Sequence, residues 1–280
     1  MKNDIAADIT NSKLATYEVT GEAASDSLIV SVGAGVAVGG KAFNGAGSGS
    51  WNDLKNDSKV NIANNTITGA TILSEAVVTG LAGGKLTAKA ENTSSIFNIA
   101  GEVAGGKGMA LGLSLAYNSL NNTTGSYLTG NTVSMPNIVG DDKDSSVNVT
   151  SLNKSNALAV AGGVDVSIDQ SFAGAVGTVA INRGVSNTES VIDGKTNGEN
   201  TTLDNLNSLV VAAEDVTKKT TVAGGISVGG SKVGIGGSVA YTSVGSSKNK
   251  EKLRAEINNA DVTTTQTGVI SVSAADSKKK

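Results

Sequence analysis

Two acidic groupings and three glycine runs are the places where this chain could do chemistry. Glu214 and Asp215 are adjacent carboxyl groups, the residue types that polysaccharide-cleaving enzymes use in pairs. On a strand, however, adjacent side chains point to opposite faces, so these two cannot flank one bond together. Near-equivalents at Glu91-Asn92 and Ala275-Asp276 suggest a recurring corner instead. The run Asp141-Asp142-Lys143-Asp144 gathers carboxylates that could hold a calcium ion. Lys143 interrupts it, its spacing fits no helix-flanked calcium loop, and the calcium-binding nonapeptide of β-rolls is absent. It reads as a surface insertion. Gly224-Gly225, Gly229-Gly230 and Gly234 to Gly237 could cradle a phosphate. No Walker-type lysine motif accompanies them and no strand–loop–helix pattern surrounds them, so they read as structural turns. No catalytic, cofactor-binding or metal-ligating residue is therefore assigned, and the chain reads as a non-enzyme without a cofactor.

Composition narrows the chemistry further. The 280 residues contain no His and no Cys. That removes the commonest general base, the Ser-His-Asp triad, thiolate metal sites and disulfides. The net charge is −3 and the only dense basic cluster is the terminal Lys278-Lys279-Lys280, which reads as a solvated tail. Neither argues for nucleic acid as a partner. No stretch approaches a helical membrane span, and the N-terminus lacks the apolar core of a signal peptide. The chain starts and stops without a natural boundary, as a piece of a longer array would.

The elements that would have to position any site are repetitive. Trp51-Asn52-Asp53-Leu54 aligns with Tyr117-Asn118-Ser119-Leu120, and the same offset carries Ile62 onto Leu128, Asn65 onto Asn131 and Ile67 onto Val133. In a third copy Asn182, Thr188, Ile192 and Gly194 match Asn118, Thr124, Leu128 and Gly130. A fourth places Ile257 under Ile192, after a short insertion in its turn. The intervening segments recur too: "NSLVVAAED" from Asn207 returns as "GVISVSAAD" from Gly268, and "LAVAGGVDV" from Leu158 as "TTVAGGISV" from Thr220. About four copies of a ~65-residue unit fill the chain. One active site is not built four times in a row, so the repetition favours a scaffold.

Each unit consists of alternating runs rich in β-branched residues, separated by Gly, Asn, Asp and Ser, the pattern of half-buried strands. "KEKLRAEI", Lys250 to Ile257, is the best helical candidate, yet Leu253, Ala255 and Ile257 alternate and favour a strand. Aromatics make up only 3% and Gly numbers 36, which suits thin layers of small side chains. The expected fold is all-β: one continuous β-solenoid over residues 1–280, each unit dividing into about three coils of ~20–22 residues, in a rod on the order of 60 Å long. Gly and Asn supply positive φ at the corners. Leu115, Tyr117, Leu128, Val179, Ile181, Ile192, Val239 and Ile257 are expected to face the interior, with Ala116 and Asn118 facing out. A β-sandwich array, and a β-prism or trimeric β-roll in which three chains share the core, are the rival folds.

The runs "SLAYNSLNNTTGSYL", "TVAINRGVSNTESVI" and "SVAYTSVGSSKNKEKLRAEI" resemble the repeats of very large secreted bacterial exoproteins. These are the filamentous-haemagglutinin-like adhesins and, more closely, the fusobacterial leukotoxin family. The resemblance covers nearly the whole chain. It implies a right-handed parallel β-helix, secretion or display on the bacterial cell surface, and an outer-membrane secretion partner. It also implies that the parent protein meets a host cell surface, protein or glycan. It transfers no functional residue, because the motif is structural. The first copy departs from the pattern at Gly49 and Trp51. A carbohydrate-active β-helix enzyme is the alternative, against which the poverty in aromatic sugar platforms argues. End-to-end self-association is the behaviour expected of a solenoid with uncapped ends.

Overall fold

The computed structural model describes residues 1–40, 43–68, 83–135, 144–168, 173–195, 198, 200–230, 233–245 and 250–277. Its elements are all strands: β1 (Lys2–Thr10), β2 (Lys13–Ala15), β3 (Glu18–Gly39), β4 (Phe43–Ala63), β5 (Thr66–Thr68), β6 (Gly83–Gly106), β7 (Met109–Thr129), β8 (Thr132–Ser134), β9 (Asp144–Ser167), β10 (Gly174–Arg183), β11 (Ser186–Asp193), β12 (Thr201–Val228), β13 (Gly234–Thr242), β14 (Lys252–Ile257) and β15 (Ala260–Asp276). The segment from Lys252 is a strand, as its alternation indicates. Unbroken alternation makes several strands very long: 22 residues in β3, 24 in β6 and 28 in β12, against about 3–10 in most globular proteins.

All strand pairs among the described residues are parallel. One sheet runs β1-β4-β7-β10-β13, with β11 and β14 continuing beside β7; the other joins β3, β6, β9, β12 and β15, together with the short β2, β5 and β8. The chain therefore passes from a long strand in the first sheet, through a three-residue strand, to a long strand in the second. Paired positions are the aligned ones. Trp51 lies beside Tyr117, Leu115 beside Val179, and Val179 beside Val239. Ile192 sits between Leu128 and Ile257, and Thr220 lies beside Leu158.

The expected division of a unit into three short coils does not hold. Side-chain bonds between paired positions span 61 to 66 residues, so one unit supplies one long strand to each sheet and the period is taken up by strand length. Five strands in succession at ~4.8 Å give a stack about 20–25 Å high, not 60 Å.

Left-handed corners follow β1, β4 and β7: Asn11, Asn64 and Gly130 have φ of 53°, 57° and 61°. Asn and Gly are the residues that tolerate this geometry, and they stand where the sequence asks for corners.

The two sheets face each other, and their interior changes along the strands. Near the short strands it is aliphatic, with Val60, Ile62, Leu86, Leu128, Val147, Ile192, Leu203 and Leu209 buried. Further along come Leu54, Ile96 and Leu120, then a layer whose apolar members are all alanines: Ala100, Ala116, Ala159, Ala161 and Ala180. At the far end glycines meet. A Cβ at Gly35 would lie 2.3 Å from the carbonyl oxygen of Gly47, so the backbones themselves are in contact. The layer is a wedge whose thickness is set by interior side-chain size.

The wedge explains a correction. Leu128 and Ile192 are fully buried and Ile257 packs against the same core, as their alternation requires. Leu115, Tyr117, Val179, Ile181 and Val239 do not face inward. They are on the outer face, while Ala116, Asn118 and Ala180 are 0% exposed. In the thin half the interior is lined chiefly by small residues, and the bulky member of each of these alternating pairs lies outside. Gly49 also faces out into open space, and Trp51 stacks on Tyr117 with ring centroids 3.9 Å apart. The departure of the first copy from the repeat pattern therefore disturbs no interior packing.

Candidate functional site

The polar side chains that the repeat brings together lie between the sheets. Asn118 is the centre of one group. Its Oδ1 accepts from Asn52 Nδ2 (3.1 Å) and from Asn98 Nδ2 (3.0 Å). Its own Nδ2 donates to Asn182 Oδ1 (2.8 Å) and to the Leu158 carbonyl (2.9 Å). Asn98 and Leu158 belong to the second sheet, so the group pins the two layers at a fixed register. A second group runs through Asn56, Asn92 and Asn153: Asn56 Nδ2 donates to Asn92 Oδ1 (2.9 Å), and Asn92 Nδ2 to Asn153 Oδ1 (2.6 Å). At the corner, Asn65 Nδ2 donates to Asn131 Oδ1 (3.0 Å), and Asn131 Nδ2 to the Ile62 carbonyl (2.7 Å). A carboxamide carries both donor and acceptor, so stacked copies can bond to one another, and of these side chains only Asn98, at its Oδ1, lacks a partner among the described residues.

The acidic pair considered from sequence separates as the alternation requires. Asp215 turns inward, accepting from Asn153 Nδ2 (3.2 Å) and Thr188 Oγ1 (3.3 Å). Glu214 lies on the outer face and accepts from Ser277 Oγ (3.0 Å). Asn92, Asn153, Asp215 and Asp276 are in register, so the proposed equivalence holds, but Asn92, Asn153 and Asp215 lie within long strands rather than at a corner. Gly224-Gly225 and Gly234 to Gly237 likewise lie within β12 and β13 rather than in turns. The Asp141 to Asp144 run falls at the boundary of the described residues, with Asp141, Asp142 and Lys143 outside them.

Sequence reasoning passed over a different pair. Glu102 and Asp165 are 4% and 0% exposed, inside the thin half of the wedge. Neither oxygen of Glu102 has a hydrogen-bond partner among the described residues. Gly112 and Gly163 leave room for its carboxyl group: a Cβ on either would lie about 2 Å from a Glu102 oxygen. Burial, reinforced by the charge of Asp165, pushes Glu102 up to about 7. Burial also raises Asp165, opposed by the backbone amides of Gly112 and Ala104. The signal was a single acid inside each glycine–valine run, in "AGEVAGG" and "GGVDVS". In acid–base catalysis the pKa values of paired acids are pushed apart; here both are raised, and neither carboxyl group meets solvent. Elsewhere burial and the adjacent Glu189 push the Tyr127 hydroxyl up, and it donates to Glu189 Oε2 at 2.9 Å.

Among the described residues no cluster of three or more His, Cys, Asp or Glu could hold a metal ion, and no helix is long and apolar enough to cross a membrane. The chain matches no family model, no curated relative and no solved structure.

Proposed function

We propose that this chain is a non-catalytic repeat segment of a secreted or surface-displayed bacterial toxin or adhesin, whose stacked units present a wide lateral surface to a host cell. The observation that carries the reading is the in-register stacking of the repeats. The same asparagine recurs in neighbouring strands and bonds to its copy, as in Asn52, Asn118 and Asn182. Such ladders spend the chain's polar residues on internal order and extend by adding units. The alternation between two parallel sheets is that of a β-solenoid with one unit per turn, and the resemblance to exoprotein repeats supplies its right-handed sense. Export through an outer-membrane secretion partner and contact with a host protein or glycan belong to the same reading. So does end-to-end association, since β1 and β14 carry matching inward positions: Ile5, Ala7 and Ile9 against Leu253, Ala255 and Ile257.

The test is saturable binding of the labelled chain to host leukocytes, run beside a release assay on neutral and acidic polysaccharides. Binding without sugar release supports the display reading. Sugar release that is lost on replacing Glu102 or Glu214 by Gln would overturn it in favour of a carbohydrate-active enzyme.

A further inference from the structure

The chain has one Trp and four Tyr, and three of these five rings stand in a single row across the first sheet. Trp51, Tyr117, Ile181 and Tyr241 are paired in register on β4, β7, β10 and β13, and all face outward. Trp51 stacks on one face of Tyr117. On the other side of Tyr117, over Ile181, a cleft of about 650 Å³ opens between Tyr117 and Tyr241. Small-molecule sites occupy about 300–1,000 Å³. The two tyrosines are two strand spacings apart, about 10 Å, and Tyr241 is 55% exposed. The next outward row supplies Ser119, Arg183 and Ser243, and Asn121 follows. The sheet is broken at this point: Gly184, between β10 and β11, has φ of 152°, and Gly245, beyond the end of β13, has φ of 70°. A Cβ at Gly184 would run into the Leu120 carbonyl, so backbone lies against backbone at the cleft floor.

We propose that this cleft binds the acidic end of a glycan: a sugar whose C–H face lies on the free face of Tyr117 and whose carboxylate meets Arg183. The proposal rests on the display reading and gives it a contact site and a ligand class. Arg183 is exposed and has no hydrogen bond or ion pair among the described residues. Among the described residues it is the one charged side chain lining the cleft. A guanidinium holds a carboxylate through two parallel N–H···O bonds. Charges on the flanking strands are balanced. Asp53 and Lys55 both stand outward on β4, beside Ser119 and Asn121. Lys219 donates to the Gly184 carbonyl and faces Glu251 at 3.8 Å. Neutral hydroxyls complete the cleft. Ser119 Oγ accepts from Asn121 Nδ2 (3.1 Å) and keeps its own O–H to donate, and the hydroxyls of Tyr117 and Tyr241 bond to no described residue. An aromatic face is the negative side of its quadrupole and attracts the C–H bonds of a sugar, while hydroxyls take the sugar's O–H groups.

An acidic peptide is the other carboxylate-bearing occupant, and the sheet argues against it. A peptide brings main-chain N–H and C=O groups that need partners. Those of β7 and β10 beside the cleft are spent on neighbouring strands. What the cleft leaves free are side-chain hydroxyls and a guanidinium, the complement of a sugar acid. Nucleic acid fits less well still, because one cation cannot follow a phosphate backbone.

Isothermal titration of the full chain with sialyllactose and with digalacturonate tests this, beside lactose as the neutral sugar and tetra-aspartate as the acidic peptide. Arg183→Gln and Tyr117→Ala are the key variants. Both side chains lie on the outer face, so the melting temperature should hold. Val239→Thr, exposed one row away on β13, is the control. The expected result is saturable binding of at least one acidic sugar, at least about 10-fold tighter than lactose. Arg183→Gln should bring that sugar down to the lactose level, Tyr117→Ala should weaken every sugar, and the control should change nothing. No binding of either acidic sugar at millimolar concentration overturns the proposal. So does binding that lactose matches, or that either key variant leaves intact. Binding that tetra-aspartate matches also overturns it, and would make a peptide the occupant. Leukocyte binding separates this site from the reading it rests on. A chain that binds leukocytes but no acidic sugar loses the site and keeps the display reading. One that binds the acidic sugar through Arg183 but no leukocyte keeps the site and loses the display reading.

Discussion

Glu102 and Asp165 stand on adjacent strands, two positions apart in register, with Glu102 beside Gly163 and Asp165 beside Ala104. Both carboxyl groups enter the layer where the interior has shrunk to alanine and glycine. Two acids there oppose folding whenever both are charged. Folded Glu102 is raised from an ordinary 4.5 to about 7, so the fold favours its protonated form. The stability it contributes is fully present below about pH 4.5 and is lost as pH rises through 7. Unfolding in denaturant should therefore show stability falling between pH 5 and pH 8. Glu102→Gln should flatten that slope and be more stable than the parent at pH 8 by about 2 kcal/mol. A wild-type profile that rises over this range, or a slope the variant leaves unchanged, contradicts the assignment.

The facing of the thin half can be checked with one pair of neighbours. Ala180→Asp places a carboxylate in the alanine layer and should cost several kcal/mol. Val179→Asp, one residue away on the outer face, should cost about 1 kcal/mol or less. Equal losses in chemical denaturation would mean that the two faces are misassigned.

Backbone contact at the thin edge makes a sharper contrast between two glycines. Gly35→Ala drives a methyl group into the Gly47 carbonyl and should lower stability by about 2–3 kcal/mol. Gly49→Ala meets nothing within 4 Å and should be neutral or raise stability by up to about 1 kcal/mol. Thermal melts of the two variants decide the matter, and a tolerated Gly35→Ala would show that the sheets do not close there.

Asn118 makes four side-chain hydrogen bonds, to four other strands in both sheets. Asn118→Ala leaves Asn52, Asn98 and Asn182 each short of a partner and should cost about 2–4 kcal/mol. Asn121→Ala, whose Nδ2 donates to Ser119 Oγ on the same strand and whose Oδ1 accepts from the Val185 N–H at 3.3 Å, loses no bond to the second sheet and should cost about 1 kcal/mol. Hydrogen exchange should show faster opening at Asn98 and Leu158, in the opposite sheet, for the first variant only. Exchange confined to β7 would show that the ladder does not join the layers.

Much of the architecture was legible because the repeats stack on themselves. The alignments of Trp51 with Tyr117, Asn118 with Asn182 and Ile192 with Ile257 are strand pairings read directly from sequence identity. The number of strands per unit was not legible. Glycine within "VGAGVAVGG" looks like turn punctuation, whereas here it continues a strand because two backbones meet. Facing failed where the hydrophobic rule fails: alternation tells that two faces differ, not which one is inside. At Leu128 and Ile192 the interior has room for a branched aliphatic side chain. At Leu115 and Val179 the interior had room only for Ala116 and Ala180. The buried acids were missed because each sits alone in its run and becomes one of a pair only through a pairing interval of 61 residues.

The wedge is also a constraint on how such a chain can change length. Each unit adds only ~4.8 Å of height but widens both faces by a strip as long as β4 and β6, with 21 and 24 residues. Growth by duplication therefore lays down wall rather than mast, and contact area outpaces reach. Insertions inside a strand would invert every later side chain. Insertions between strands cost no register, and β13 and β14 already show one, their partners β10 and β11 being separated by fewer residues. Variation is thus steered to the margins of the wall, leaving its two broad faces as the invariant product of repetition.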